Sequence, residues 1–223
     1  MDHTRSRQAL VVRGGWEGHS PVEATDRFVP FLEDHGFAVE VHDGPEVYAD
    51  ADQLAGTDLI LQCYTQGEAT DEQVLGLSAA VAAGTGLAGW HGGLVDSFRG
   101  SPDYLHLTGG QWAAHPGGFV PYDVEVVPDK ADHELVVGLN PRWSLDTEQY
   151  WVLTDGLNDV LATTRFEVGA DTPWREPLTC PAVWTRQWGR GRVFVSTIGH
   201  KLEDLDHPDV RTLTERGLVW ASR

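Results

Sequence analysis

Short apolar segments alternate with helical segments through the first ninety residues, and this alternation constrains the fold more than any other feature. The apolar segments are residues 8–13, 37–41, 58–63 and 87–90. Their length and composition are typical of buried strands. Strands that alternate with helices predict right-handed crossovers and a doubly wound, mostly parallel sheet that helices cover on both faces.

Helix signals stand between these strands. The segment Ser20-Pro21-Val22-Glu23 has the pattern of a capping box with proline in the first turn, and it predicts a helix that starts there and bends at Pro30. The segment Thr70-Asp71-Glu72-Gln73 is a second capping box, and it predicts a helix that runs to about Ala83. Each helix is therefore expected to return the chain to the sheet.

The second half of the chain has a different pattern. Residues 109–118 are rich in glycine and are predicted to form a loop. Further strands are predicted over residues 122–127, 160–166, 182–188 and 192–198. Because short turns join several of them, we expect an antiparallel extension of the sheet in this half. With no linker or repeat in the sequence, residues 1–223 are predicted to form a single α/β domain.

Composition narrows the range of partners. The chain has 34 acidic and 16 basic residues and a net charge of -18, so neither nucleic acid nor an anionic membrane is an expected partner. Two cysteines, Cys63 and Cys180, stand far apart, which excludes a disulfide scaffold and a zinc ribbon. The polar residues 1–8 lack a signal-peptide pattern and predict a cytoplasmic protein. The uncharged stretch 74–95 holds six glycines and favours a helix followed by a buried strand over a membrane span.

Three histidines directly follow predicted strands. His19 follows the first strand, His91 the fourth, and His200 the strand over residues 192–198. Ligands of open parallel sheets bind beyond the carboxyl ends of the strands, so we expect these imidazoles to meet in one site. Any single one could instead bond a loop carbonyl, and the hypothesis therefore depends on their convergence. The loop residues that are candidates to join them are Gln66, His115 and Glu148.

Two chemistries remain open for such a site. His19, His91 and His200 could be ligands of zinc, manganese or iron, with a carboxylate nearby. Alternatively, histidine and glutamate could transfer protons without a metal. The sequence has neither HExxH nor HxH spacing, and it also lacks the dinucleotide-binding, P-loop and GxSxG patterns.

Nine tryptophans suggest what the ligand could be. Trp16, Trp90 and Trp112 fall in or beside the loops of the predicted site. Flat aromatic faces stack on the C–H faces of sugars, so a small carbohydrate is the expected partner. Core packing is the simpler interpretation for the others, and we expect it for Trp184, Trp188 and Trp220.

Several motifs together resemble one known family. The longest is PAVWTRQWGRGRVFVSTIGH, over residues 181–200. The supporting segments are Gly89-Trp90-His91-Gly92-Gly93, Gly109-Gly110, His115-Pro116, Asp132-His133, Gly138-Leu139, Glu148-Gln149-Tyr150, His207-Pro208 and Trp220-Ala221. Over nearly its whole length the chain resembles the ThuA-like proteins, which are named for trehalose utilisation.

The resemblance implies a flavodoxin-like fold similar to that of class I glutamine amidotransferases. Those enzymes carry a cysteine nucleophile on the turn after a strand, and Trp90 stands at the matching place here. Their His-Pro-Glu segment is also missing, because Lys201 and Leu202 follow His200. A cysteine-dependent glutaminase is therefore not expected. Thr147 stands where the family has aspartate, directly before Glu148.

The resemblance also implies a role in carbohydrate catabolism. The leading hypothesis is an isomerase, lyase or hydrolase that acts on an oxidised (keto) sugar or disaccharide, with or without a divalent metal. His91 and Glu148 would carry protons. The residues that would contact the substrate are His19, Trp16, Trp90, Gln66, His115 and His200. The alternative is a non-catalytic sugar-binding or regulatory protein, and a homo-oligomer remains open in either case.

Overall fold

A nine-stranded sheet forms the centre of the computed structural model, which describes residues 6–223. Its strand order is β2-β1-β3-β4-β11-β10-β9-β6-β7, and β5 and β8 form a separate two-stranded sheet. The strands are β1 (Arg7–Gly15), β2 (Phe37–His42), β3 (Leu59–Thr65), β4 (Gly86–Trp90), β5 (Gly110–Ala114), β6 (Phe119–Val126), β7 (Arg142–Glu148), β8 (Trp151–Thr154), β9 (Asp159–Phe166), β10 (Leu178–Trp188) and β11 (Gly191–Ser196). Residues 1–5, on which the cytoplasmic prediction partly depends, lie outside the described residues.

Helices cover both faces of this sheet. They are α1 (Pro21–Asp26), α2 (Val29–Asp34), α3 (Ala51–Gly56), α4 (Asp71–Ala83), α5 (Gly92–Val95), α6 (Pro102–Thr108), α7 (Leu202–Asp206) and α8 (Pro208–Ala221). Side chains of α1, α2, α7 and α8 pack into one core, and those of α3 to α6 pack into the other. None of these helices is long and apolar enough to cross a membrane.

The strand pairing confirms the predicted α/β sheet and its antiparallel extension. Strands β2, β1, β3, β4 and β11 pair in parallel. Strands β10, β9, β6 and β7 continue the same sheet in antiparallel pairs. The four predicted apolar segments of the first half therefore form adjacent strands whose carboxyl ends share one edge.

Alternation along the buried strands explains why two cores form. In β1, Ala9 and Val11 face one core, whereas Leu10 and Val12 face the other. All four side chains are buried, because a strand in the middle of a doubly wound sheet has no solvent face. A continuous apolar run, rather than strict alternation with polar residues, is the sequence pattern of such a strand.

Two predicted boundaries are wrong. Residues 109–118 are not all loop, since Gly110–Ala114 forms β5 and pairs with β8. The first helix is not continuous with a bend at Pro30; it divides at Arg27 and Phe28, and Pro30 lies in the first turn of α2. Proline fits that position because the amides of a first helical turn have no partner within the helix.

The two predicted capping boxes also have different outcomes. At α4, the Thr70 hydroxyl accepts from the Gln73 amide and the Gln73 side chain accepts from the Thr70 amide, as predicted. At α1, Ser20 has a left-handed backbone with φ of 46°, and its side chain makes no capping bond. Helix α1 therefore begins without the side-chain cap that the sequence predicts.

Candidate functional site

Four chemically active side chains meet at the carboxyl edge of the sheet. His19 lies in the turn after β1, His91 directly follows β4, Glu148 ends β7, and His200 follows β11. Their ligand atoms, one from each side chain, all lie within 4.8 Å of one another. The predicted convergence of the three histidines is therefore present, and Glu148 joins them from the antiparallel extension.

His91 occupies a strained turn between a strand and a helix. Its backbone has φ of 47° and ψ of -143°, a conformation that residues with a Cβ atom rarely adopt. Glycines on both sides permit the turn: a Cβ atom on Gly89 would lie 2.3 Å from the Gln62 carbonyl oxygen, and one on Gly93 would lie 2.7 Å from Cα of Cys63. This geometry is that of a nucleophile elbow, with histidine in place of serine or cysteine.

The position of His91 corrects the prediction for Trp90. His91, rather than Trp90, occupies the strained turn after β4. The Trp90 side chain is 1% exposed and packs beside Phe28, with 5.0 Å between ring centroids. Adjacent residues point in opposite directions here because the chain turns sharply after β4. We therefore assign Trp90 to the core instead of a sugar-binding surface.

Short contacts hold the cluster together. Nε2 of His91 lies 3.2 Å from Oε2 of Glu148 and 3.3 Å from Nδ1 of His200. Nδ1 of His200 lies 3.1 Å from the same carboxylate oxygen. The rings of His19 and His91 meet edge to face at 4.6 Å, and those of His19 and His200 at 4.9 Å. One oxygen of Glu148 thus stands among the imidazoles.

Fixed hydrogen bonds orient two of the rings. Nδ1 of His91 donates to the carbonyl oxygen of Thr197 at 2.8 Å. A carbonyl can only accept, so the Nδ1 atom carries the proton and, in the neutral ring, Nε2 presents a lone pair to the cluster. The hydroxyl of Thr65 lies 2.8 Å from Nδ1 of His19 and fixes that ring in turn.

Burial sets the charge of these groups. Burial, together with the neighbouring His91 and His200, lowers the pKa of His19 to about 3. Burial also lowers the pKa of His91. For Glu148 burial opposes ionisation, but its contacts with His200 and His91 hold the pKa of its carboxyl well below the usual range. The state consistent with all three directions at neutral pH is an ionised Glu148 beside neutral His19 and His91.

This protonation state fits a bound cation. With a neutral His91, its Nε2 lone pair faces a carboxylate oxygen at 3.2 Å, a contact that is repulsive unless a proton or a metal lies between the two atoms. Metal ligands must be deprotonated imidazoles and carboxylates, which is the state that burial favours here. Three histidines and one glutamate suit zinc, manganese or iron.

Aromatic and polar side chains surround the cluster. Trp16 is 47% exposed and meets His19 edge to face at 4.7 Å. Nδ1 of His115 lies 3.7 Å from Oε1 of Glu148 and has no hydrogen-bond partner among the described residues. Tyr150 stacks on His91 at 3.9 Å and forms the wall behind it. Trp16 and His115 therefore lie beside the histidines, as predicted from the sequence.

Gln66 is not brought into this cluster. Its exposed side chain lines a neighbouring cavity of about 440 Å³ together with Phe98 and Arg99. A larger cavity of about 560 Å³ lies on the antiparallel extension, where Arg142 pairs with Asp123. Charged groups that pair with each other, as Arg142 and Asp123 do, have fewer hydrogen-bonding atoms free for a ligand. We therefore place the candidate site at the histidines.

Three further residues of the site were not predicted from the sequence. Thr65 ends β3, Tyr150 follows Glu148, and Phe119 lies against His200 with ring centroids 4.9 Å apart. Tyr150 belongs to the Glu148-Gln149-Tyr150 motif and could have been found from it. Nothing in the local sequence distinguishes Phe119 from an ordinary strand residue.

The substitution at Thr147 leaves the cluster intact. Thr147 and Glu148 lie on opposite faces of β7, as neighbours in a strand must. The Thr147 hydroxyl donates to Oδ2 of Asp204 at 2.8 Å, away from the histidines. A carboxylate at position 147 would therefore face away from the cluster and would not be a fifth ligand.

Comparison with known proteins agrees with these observations. The family model described as ThuA, trehalose utilisation, matches residues 8–221. None of the curated proteins compared with the chain matches it. A ThuA-like protein from Bacteroides uniformis has a similar fold, with a TM-score of 0.75 and 16% identity over 99% of this chain and 94% of that one.

Two further solved structures have the same fold. A ThuA-like protein from Parabacteroides merdae has a TM-score of 0.75 and 17% identity, over 97% of this chain and 90% of that one. A protein described as cytoplasmic, from Salmonella typhimurium, has a TM-score of 0.66 and 13% identity, over 97% of this chain and all 100% of that one. The fold is glutamine amidotransferase-like in its general description. With a family model that spans almost the whole sequence, the chain belongs to the ThuA trehalose utilisation family.

Proposed function

We propose that the protein is an enzyme of carbohydrate catabolism that acts on an oxidised (keto) sugar, with a divalent metal held by His19, His91, Glu148 and His200. The observation that carries the proposal is the contact of a neutral His91 Nε2 with the carboxylate of Glu148, within a set of four ligand atoms 4.8 Å or less apart. Family membership supports the role in trehalose utilisation.

A divalent ion held by these four residues would supply a Lewis acid for a substrate carbonyl. The protein's own contribution is a proton acceptor. Oε2 of Glu148 faces His91 and His200, whereas Oε1 faces His115 and remains available. Ionised Glu148 can take the proton from a carbon next to a keto group, which is acidic because the carbonyl delocalises the resulting charge.

That proton transfer leads to two reaction classes. In an isomerisation, a proton returns to a neighbouring position and nothing leaves. In an elimination, the glycosidic oxygen on the following carbon leaves with the electron pair of the C–O bond and takes up a proton. In a metal-free form of either reaction, Nε2 of His91 would be the second proton carrier, because its Nδ1 is already committed to Thr197.

The expected substrate is a small sugar, and the expected location is the cytoplasm. The net charge of -18 disfavours polyanionic partners such as nucleic acid. The Salmonella structure with the same fold is itself described as a cytoplasmic protein. Exposed Trp16 offers a face for a sugar ring at the entrance of the cluster.

Metal analysis and sugar assays test the proposal together. We expect one metal per chain in the purified protein and less than a tenth of that in His91→Ala and His19→Ala, with His42→Ala as the control because His42 lies at the end of β2 and pairs with exposed Glu40. We expect turnover of 3-ketotrehalose, but not of trehalose, by the metal-loaded wild type. Loss of the keto substrate without release of glucose would indicate isomerisation.

The alternative function predicts a different result. A sugar-binding or regulatory protein on an amidotransferase-like scaffold would bind trehalose tightly and leave 3-ketotrehalose unchanged. A protein without stoichiometric metal that still converts the keto sugar would instead favour the metal-free mechanism. Absence of both metal and turnover would refute the enzymatic proposal.

A further inference from the structure

Phe119 is a large apolar side chain that stays exposed beside the candidate site. It is 52% exposed, although the sheet offers two cores that could bury it. Phe119 pairs directly with Glu148 across the β6–β7 ladder. Directly opposed residues of antiparallel strands share a face, so the register places this ring next to the carboxylate of the cluster.

The Phe119 ring is also held in place. Its edge meets the ring of His200 with 4.9 Å between centroids. Nζ of Lys201 lies 4.2 Å from the Phe119 centroid, and the same ammonium donates to the carbonyl oxygen of Asp146 at 2.8 Å. Such an ammonium–ring contact orients the aromatic face. An exposed aromatic ring that is fixed on two sides is suited to binding a ligand.

Trp16 is a second exposed aromatic side chain near His200. Its ring centroid is 6.4 Å from that of His200 and 4.7 Å from that of His19. Gly18 lies beneath the indole, since a Cβ atom there would come within 2.2 Å of it. The indole and the phenyl ring therefore both lie near the ring of His200, beside the polar cluster.

We propose that Phe119 is a specificity-determining residue, which together with Trp16 forms the two walls of a cleft for a pyranose ring above His200. Lys201 is the positioning residue that holds the Phe119 wall. This inference rests on the proposed function and deepens it, because it names the residues that select a sugar. The C–H faces of a pyranose contact the two rings, and its hydroxyl or keto oxygens face the cluster.

Binding of trehalose to the metal-loaded protein tests the cleft. We expect Phe119→Ala to raise the Kd about tenfold, as loss of an aromatic anchor in a small site does, and Phe119→Tyr to stay within about threefold. Leu157→Ala is the matched control, because it shortens an exposed apolar side chain in the β8–β9 turn. Metal content should be unchanged in all three variants.

Lys201 provides a second, independent measurement. We expect Lys201→Met, which removes the ammonium, to raise the Kd for trehalose about threefold. Lys201→Arg keeps the cation over the ring and should restore wild-type binding, a rescue that a merely structural role would not predict. Unchanged metal content and thermal stability would show that the variants fold normally.

The outcomes separate this inference from the proposed function. One outcome is that the wild type binds metal and converts the keto sugar, while Phe119→Ala binds trehalose as tightly as the wild type does. That outcome would overturn the proposed cleft and leave the proposed enzymatic function standing. Loss of trehalose affinity in Phe119→Ala, in a protein without metal or turnover, would support the cleft and refute the enzyme. No detectable binding of trehalose or 3-ketotrehalose by the wild type would overturn the inference.

Discussion

Backbone strain is concentrated at individual residues of the site edge. Ser20, Gln66, His91 and Phe98 all have positive φ without being glycine, and the first three directly follow His19, Thr65 and Trp90 at the carboxyl edge of the sheet. Such conformations cost about 1–3 kcal/mol each and persist where the surrounding structure imposes them. At His91 the strained conformation places the imidazole at the tip of the turn, where its Nε2 faces the cluster.

At position 91, glycine should give a more stable protein than alanine, which is the reverse of their order in a helix. We expect both His91→Gly and His91→Ala to lose the metal, and the metal-free His91→Gly protein to be more stable by about 1 kcal/mol, because glycine adopts positive φ freely. Urea unfolding measures the difference. At exposed Leu75 in α4 the control pair should show alanine more stable than glycine by about 1 kcal/mol. A more stable His91→Ala would show that the turn is not strained.

The metal-free protein should lose stability on acidification. The pKa of His19 is about 3 in the folded protein, against an ordinary value of 6.5 for a solvated histidine, so the unfolded chain binds more protons between these values. Stability contributed by neutral His19 is therefore present above pH 6.5 and falls as the pH is lowered toward 3, by about 1.4 kcal/mol per pH unit for one group. His91 acts in the same direction.

Urea unfolding of the chelator-treated protein at pH 7, 6 and 5 would measure this dependence. His19→Gln should give a shallower slope than the wild type, because a glutamine takes up no proton. Equal slopes in the wild type and His19→Gln would contradict the assignment of a neutral buried His19.

At the scale of elements, the start of a helix depends on the backbone before it as well as on the capping residue. We expect Thr70→Ala to cost about 1 kcal/mol, because it removes the capping bond of α4. Ser20→Ala should change stability by less than about 0.5 kcal/mol, because the Ser20 side chain caps nothing. Chemical denaturation measures both, and an equal cost at the two positions would contradict the difference in capping.

The close packing of α5 on β3 sets the position of the elbow. A Cβ atom on Gly93 would come within 2.7 Å of Cα of Cys63, so Gly93→Ala must push the two elements apart. We expect it to destabilise the fold by about 2 kcal/mol and to weaken metal binding. Gly100→Ala is the control, since a Cβ atom there meets nothing within 4 Å. Normal metal affinity in Gly93→Ala would show that α5 can move without disturbing the cluster.

At the scale of the whole molecule, the cluster joins the parallel half of the sheet to its antiparallel extension. His19, His91 and His200 follow parallel strands, whereas Glu148 ends β7 at the far edge. A bound metal would therefore connect segments that are distant in sequence, and it would stabilise only the state in which all four are assembled.

Metal removal should therefore lower the stability of the whole domain. At a free metal concentration of 100 times its Kd, we expect a stabilisation of about 2.7 kcal/mol. Thermal unfolding with zinc or manganese, and with a chelator, measures the effect. His91→Ala should show no such difference, and a metal-dependent shift of equal size in that variant would place the metal elsewhere.

The amino-acid sequence by itself determined the four strands of the first half, the cap of α4, and the placement of three histidines at strand ends. These features depend on apolar runs and on capping residues a few positions apart, and such local preferences act without the rest of the chain. The family motifs also indicated Glu148 as a candidate residue of the site.

Only the tertiary structure decided that His91 points into the site while Trp90 points into the core, and that Phe119 lies opposite Glu148. The pairing of β5 with β8 was likewise decided there. The physical reason is that strand register and the direction of a strained turn are set by packing between segments far apart in sequence. A local pattern can place a residue at the edge of the sheet, but the assembled sheet determines which side chains meet there.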